Sequence, residues 1–328
     1  MRVTLIHNPT AGDDRQPTVG QIEALMKEAG YKVRTQSTDD KGWTSALKKS
    51  ADFVVVAGGD GTVGAVARRL IGKAMPIAVL PLGTANNISK TLGIADFAVT
   101  QLIPAWKSGR RLKFDAGLAS GPWGERYFIE GIGTGLLPSS IPKISANKTL
   151  RQLSDTDVKV TYAQQMFREH VVKCRAVDIK AFLDGADISG RYVLFEVLNM
   201  QYVGPNLFLA PEVVPNNGEF EVILLEERHR DKLHAHIRNW QAGKLTPPQF
   251  ATRRGSHLEL HWTGFPLHID DKIWPGKGDK QPKPPAILDI DVAPGAVEFL
   301  VPAEVHEMRE LAKKSGDRKP ARNSRHRK

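Results

Sequence analysis

Glycine, threonine, asparagine and aspartate recur in two short loops about two dozen residues apart, Gly58-Gly59-Asp60-Gly61-Thr62 and Leu82-Gly83-Thr84-Ala85-Asn86-Asn87. Each follows an apolar run and opens a helical pattern. Glycines let backbone N–H groups approach an anion without side-chain obstruction, and the positive end of the following helix faces the same space. The ligand that suits such loops is a nucleotide phosphate tail, held by Gly58, Gly59, Gly61 and Gly83 with hydrogen bonds from Thr62, Thr84 and Asn86. Asp60 is the exception, because a carboxylate repels phosphate unless a magnesium ion or an acceptor hydroxyl stands between them. A metal bridge or proton acceptor is its expected role, and a helix N-cap is the plain alternative. Capping is also the alternative for Thr84 and Asn86. The chain has no G-x-x-x-x-G-K-[ST] loop and no G-x-G-x-x-G fingerprint, which argues against a P-loop NTPase and a Rossmann dehydrogenase.

The elements that must position these loops alternate strand and helix. Strands are expected at Arg2 to Ile6, Tyr31 to Thr35, Phe53 to Ala57 and Ile77 to Leu80, with helices at Val19 to Ala29, Trp43 to Lys49, from Thr62, and at Ile88 to Leu92. Phe53-Val54-Val55-Val56-Ala57 is apolar throughout, as in a parallel sheet buried on both faces. This reads as a doubly wound α/β nucleotide-binding domain over residues 1–112, with both loops at the carboxyl edge of the sheet where open α/β folds bind ligands. A β-rich, sandwich-like second domain is expected over 113–302. Its strands are Arg175 to Leu183, Arg191 to Leu198, Phe220 to Leu225, His257 to Trp262, Leu267 to Ile269, Ile287 to Val292 and Ala296 to Val301. Asp184-Gly185 marks a hairpin turn, and Leu150 to His170 and Asp231 to Ala242 read as helices. A last helix is expected from Pro302 to Lys313, within a terminal segment 303–328.

The 328 residues carry a net charge of +10. Lys313 to Lys328 holds eight basic residues and Asp317, hence +7 of that total, and leaves the body at +3. Such a tail reads as disordered and suited to an anionic membrane surface. No aromatic interleaving supports nucleic-acid binding. The single Cys174 excludes a disulfide framework and a Cys-based zinc site; it reads as a buried thiol in a strand-like stretch. The histidines fit no zinc spacing and read as solvated or packed. With no signal peptide and no apolar run of spanning length, a cytoplasmic, peripherally membrane-associated protein is expected. A homodimer is compatible with the sequence.

Taken together, Asn8-Pro9-x-Ala11-Gly12, Gly58 to Thr62 and Leu82 to Asn87 resemble the diacylglycerol kinase catalytic-domain family, which includes bacterial lipid kinases and sphingosine kinases and is distantly related to NAD kinases. Phe128-Ile129-Glu130-Gly131-Ile132-Gly133 and the stretch from Ala210-Pro211 to Asn217-Gly218 resemble later segments of that family. The resemblance implies ATP contacts from Asn8, Thr38, Gly58 to Thr62 and Thr84. It also implies a lipid acceptor in the cleft between the domains and phosphoryl transfer from magnesium ATP to a hydroxyl.

Two positions depart from the family pattern. The late Asp-Gly-Glu becomes Asp270-Asp271-Lys272, so the catalytic base falls to Asp270 or Asp271, or activity is altered; a charged β-turn is the plain alternative. Asn217 stands where the family has a metal-binding Asp, with Glu219 as a compensating oxygen ligand. The leading expectation is an ATP- and Mg2+-dependent lipid kinase acting on diacylglycerol or a related lipid. Its rivals are a soluble kinase for NAD or a sugar phosphate and a catalytically altered nucleotide-binding, membrane-associated protein.

Overall fold

The computed structural model describes residues 1–244, 247–276 and 282–307. The chain divides into two compact units, one of Met1–Phe114 with the stretch from Ala296, the other of Asp115–Gly295. The stretch 296–302, expected in the second domain, thus lies with the first. The basic tail from Lys313 and the second half of the last expected helix, from residue 308, lie outside the described residues.

In the first unit the elements are β1 (Arg2–His7), α1 (Val19–Glu28), β2 (Lys32–Ser37), a 3-10 turn at Trp43–Lys48, β3 (Phe53–Gly58), α2 (Asp60–Leu70), β4 (Ile77–Pro81), α3 (Asn87–Leu92) and α4 (Val99–Ala105). The strands are parallel in the order β2-β1-β3-β4. Phe53, Val54, Val55, Val56 and Ala57 are all essentially inaccessible, so both faces of β3 are covered, as its unbroken apolar run demands. Each such Val or Phe contributes roughly 1.5–3 kcal/mol by burial. Phe53, Tyr31 and Trp106 meet edge-on or tilted on one side of the sheet. Sheet order reverses direction between β1 and β3, and the chain leaves β1 at Asn8 and β3 at Gly59. These are the ends at which a doubly wound sheet opens a crevice.

The second unit continues β5 (Arg110–Gly121), which begins in the first, into β6 (Gly124–Phe128), β7 (Gly131–Gly135), α5 (Leu136–Ala146), α6 (Lys148–Gln152) and α7 (Thr156–Lys173). Then come β8 (Val177–Leu183), β9 (Ala186–Asp187), β10 (Gly190–Leu198), β11 (Tyr202–Val203), β12 (Leu207–Phe208), β13 (Phe220–Glu226), α8 (Arg230–Gln241), β14 (Ala251–Gly255), β15 (His257–Trp262), β16 (Leu267–Ile269), β17 (Lys272–Trp274) and β18 (Ala286–Val301). The strands β17-β16-β7-β10 lie side by side, and β13 and β14 extend them beyond β10. On β13, Phe220, Val222 and Leu224 join a core with Phe195, Val197, Leu258 and Leu288. The alternate Ile223 and Leu225 join Leu233, Ile237 and Phe167 beneath the helices. This period-two split makes the unit β-rich, with α5, α7 and α8 covering one face of that sheet.

Several expectations shift in detail. The two final strands are one strand, β18, whose later part pairs in parallel with β4 at Phe299–Ile77. The single helix expected from Leu150 to His170 is two, because Asp155 accepts from the amides of Asp157 and Val158 and caps a new start. Cys174 is buried as expected but ends α7 rather than lying in a strand. Asp184 and Gly185, both at positive φ, make the expected turn, with the short β9 as the returning strand.

Candidate active site

The two glycine loops touch each other. Leu82 N–H donates to Gly58 O at 3.2 Å, and a Cβ built on Gly83 would run into Gly59 Cα. The converse substitution at Gly59 would meet Gly83 Cα at 3.0 Å. This backbone-on-backbone contact requires glycine at 83 and leaves only a tight fit for a Cβ at 59, before any ligand is considered. Gly59 opens α2 without a side-chain cap, which leaves the first-turn N–H groups directed out of the helix end. Gly61 lies within that first turn. Thr62 packs over Gly58, and its hydroxyl accepts from Asn8 Nδ2 at 3.1 Å. Thr38 follows β2, with its N–H donating to His7 O at 2.9 Å. The fold therefore brings Asn8, Thr38 and the loop Gly58–Thr62 to one edge of the sheet, and Thr84 is exposed beside them on the second loop.

The Asp60 carboxylate reaches across to the second loop. Its Oδ2 accepts from Asn87 N–H and its Oδ1 from Ile88 N–H, both at 2.9 Å. It thereby caps α3, a helix that begins 27 residues later. Burial raises the Asp60 pKa, while those two amides and the Lys90 charge oppose the shift. Asn86 does not cap α3. Held at φ 53°, it turns its amide back on its own loop. Its Oδ1 accepts from Gly83 N–H at 2.9 Å, and its Nδ2 donates to Gly83 O at 2.8 Å and Pro81 O at 3.2 Å. Lys90, which the sequence reading passed over, donates to Ala85 O at 3.1 Å on the same loop.

In the second unit Asp270 and Asp271 form the two-residue turn between β16 and β17. Asp270 is buried, at φ 51°, and its Oδ1 accepts from Glu130 N–H at 2.8 Å, Ile129 N–H at 3.0 Å and Gly131 N–H at 3.4 Å. Its Oδ2 takes a longer 3.3 Å contact from Ile129 N–H. The turn is thus tied to the Phe128–Gly133 segment, which the sequence had singled out by motif alone. Asp271 and Lys272 are exposed.

Behind the turn stands a pair that the sequence reading did not connect. Glu196 and His268 lie opposite Gly133 on either side of β7, and Glu196 Oε2 meets His268 Nε2 at 2.6 Å with both side chains buried. His268 Nδ1 donates to Asp270 O at 2.9 Å. Burial raises the Glu196 pKa. Burial opposes protonation of His268, but Glu196 and Asp270 outweigh it and its pKa rises.

Asn217 and Glu219 occupy an exposed turn in which Asn217 Oδ1 accepts from Glu219 N–H at 3.0 Å. Gly218 N–H donates to the buried Asp115 Oδ2 at 2.8 Å. The Asn217 oxygen offered to a metal is therefore engaged in a turn. Among the described residues no three His, Cys, Asp or Glu side chains group as metal ligands. With the Asp60 oxygens also held by amides, these residues do not build a resident magnesium cage.

Residues 2–119 match the family model of the diacylglycerol kinase catalytic domain. A Bacillus subtilis diacylglycerol kinase is 29% identical over 236 residues, covering 69% of this chain and 74% of that protein. A solved structure of a diacylglycerol kinase from Bacillus anthracis superposes with a TM-score of 0.68 at 18% identity, covering 93% of this chain and 98% of that one. Yeast NADH kinase complexed with NADH gives a TM-score of 0.55 at 10% identity over 99% of this chain and 89% of its own. The chain is a phosphotransferase of the kinase class. Over residues 2–119 it is similar to the diacylglycerol kinase catalytic-domain family, the resemblance carried by the paired loops and Asn8. No helix among the described residues is long and apolar enough to cross a membrane.

Proposed function

We propose that this chain transfers the γ-phosphoryl group of ATP to a hydroxyl of diacylglycerol or a related lipid. The observation that carries the reading is the coupling of the two glycine loops through Asp60 and the Gly59–Gly83 contact, at the carboxyl edge of a doubly wound sheet. One carboxylate there fixes both loops, and an uncapped helix start faces the space a phosphate tail would fill.

In the reaction the lipid hydroxyl oxygen bonds to the γ-phosphorus as the bond to the β–γ bridging oxygen breaks, and ADP leaves. Asn8, Thr38, Gly58, Gly59, Gly61, Thr62, Gly83 and Thr84 hold the nucleotide, while Asn86 holds the loop. Asp60 sets the spacing of the two loops. Asp270 Oδ2 takes the proton of the acceptor hydroxyl, with Oδ1 anchored on the amides of Ile129 to Gly131. Positioning and charge neutralisation supply most of the acceleration in such transfers. Magnesium enters with the nucleotide as part of the substrate. The protein works in the cytoplasm, against a membrane surface that its basic tail favours.

The test offers labelled ATP with magnesium to the full chain, alongside a lipid-extract panel, NAD and sugar phosphates. Label in a lipid fraction that disappears on chelation supports the reading. Label on NAD or a sugar phosphate transfers the assignment to a soluble kinase. ATP binding without transfer to any acceptor makes the chain a nucleotide-binding protein and overturns the lipid-kinase reading.

A further inference from the structure

We propose that Glu196 and His268 are positioning residues for phosphoryl transfer, acting through the backbone of the Asp270–Asp271 turn. The inference rests on the reading that this turn supplies the proton acceptor.

The geometry begins with Gly133. It lies on β7 directly between Glu196 on β10 and His268 on β16, where two strand spacings separate the outer residues by roughly 9–10 Å. The outer side chains meet because nothing projects between them: a side chain at 133 would run into Glu196 Oε2. The contact at 2.6 Å is short even for a charge-assisted bond. The imidazole then spans to the turn, where Nδ1 meets the Asp270 carbonyl. Both partners of the ring are acceptors, so the pair must hold a proton on each side of the ring. Asp270 is therefore gripped twice, through its own carbonyl by His268 and through its carboxylate by the amides of Ile129, Glu130 and Gly131.

The arrangement does not look built for stability. Glu196 Oε1 is buried and accepts no hydrogen bond among the described residues. A buried ion pair of this kind is commonly no more stabilising than apolar residues of the same volume. What it provides is a fixed direction for one carbonyl, in a residue at positive φ whose carboxylate must point to a defined place. A displacement of about 1 Å at a reacting group can cost on the order of a hundredfold in rate.

Two substitutions separate the halves of the ring. In His268→Asn the amide nitrogen falls near the position of Nδ1 and keeps the bond to the Asp270 carbonyl. In His268→Gln it falls near Nε2, keeps the bond to Glu196 and releases the turn. With the full chain and a lipid acceptor, His268→Gln is expected to lower kcat by about tenfold or more, with KM for ATP and lipid within about twofold. His268→Asn is expected to retain several times more kcat than His268→Gln. Hydrogen exchange gives a readout independent of turnover: the amides of Ile129 to Gly131 exchange faster in His268→Gln than in His268→Asn, while those of Asn87 and Ile88 stay as in the parent. Gln kcat equal to the parent's, or Asn as impaired as Gln, would overturn the proposal, as would unchanged exchange in both. A parent chain that phosphorylates no lipid defeats the functional reading instead, and the exchange experiment still decides whether the pair holds the turn.

Discussion

Asp60 and Asp270 share one device: each carboxylate accepts backbone N–H groups from a segment distant in sequence, at residues 87 and 88 for the first and 129 to 131 for the second. Their partners separate the predicted outcomes. Asp60→Ala leaves two amide donors without their acceptor and is expected to cost roughly 2–4 kcal/mol of stability and to weaken ATP binding; thermal melts and nucleotide titration read both. Asp270→Asn retains an oxygen for the amides but loses the base, so it is expected to stay folded and lose about a hundredfold or more in kcat. Asp271→Asn, at an exposed position, is expected within a few-fold of the parent, and rates equal to the parent's in both variants would remove Asp270 from the mechanism. Glu196 and His268 add a pH dependence of definite sign. Both bind protons more tightly in the folded chain than at their ordinary values of 4.5 and 6.5. The native state therefore holds more protons, and its stability falls as pH rises through and above those values. The contribution of this pair to the urea midpoint should decline as pH rises above 6.5. In Glu196→Gln the slope should flatten, because the buried His268 loses the charge that raised its pKa. The acids themselves were legible in the sequence, since residue type and motif suffice to find a carboxylate. Their acceptor roles were not, because a bond spanning 27 or 140 residues leaves no mark in local spacing.

At the scale of elements, the glycines of the two loops were legible as positions needing an unobstructed backbone, but the obstruction is partly the other loop. Gly83 lies against Gly59 Cα more closely than any Cβ allows, whereas a Cβ on Gly59 would meet Gly83 Cα at 3.0 Å. Gly83→Ala is therefore expected to cost about 1–3 kcal/mol by overpacking and to loosen nucleotide binding, with Gly59→Ala milder. Melting temperature and ATP affinity measured on both variants give the comparison; an equal or reversed order would count against the loop contact. The strands β1, β3 and β4 follow closely from their apolar runs, because a strand covered on both faces is apolar almost throughout, whereas the largely exposed edge strand β2 has no such run. The helix α5 was missed because its sequence, Leu136-Leu137-Pro138-Ser139-Ser140-Ile141-Pro142, contains two prolines and two serines, poor helix formers on propensity. Packing of Leu136 and Leu137 into the core under α7 and α8 overrides that preference. The join in β18 was hidden for a similar reason: Pro294-Gly295 reads as a turn, yet the strand runs through it as the chain passes from one unit to the other.

For the whole molecule, the decisive quantity is how the net charge is distributed. Of +10 in all, +7 belongs to the last sixteen residues and +3 to everything before them. A body so nearly balanced gains little from a charged surface, whereas basic residues close to anionic lipid contribute about 1 kcal/mol each before chain entropy is subtracted. Even half of the tail's eight Lys and Arg residues engaged at once would amount to several kcal/mol. That attraction is screened over about 10 Å at 0.1 M salt and over about 30 Å at 0.01 M. Removing Lys313 to Lys328 should therefore weaken co-sedimentation with phosphatidylglycerol-containing vesicles strongly at low salt and little at high salt. Binding to neutral phosphatidylcholine vesicles should not change. Transfer to a short-chain, water-dispersed acceptor should also be unaffected, because the truncated chain retains both glycine loops and the Asp270 turn. Loss of activity toward the dispersed acceptor would instead mean that the tail acts on the catalytic units themselves, and the electrostatic account of it would fall.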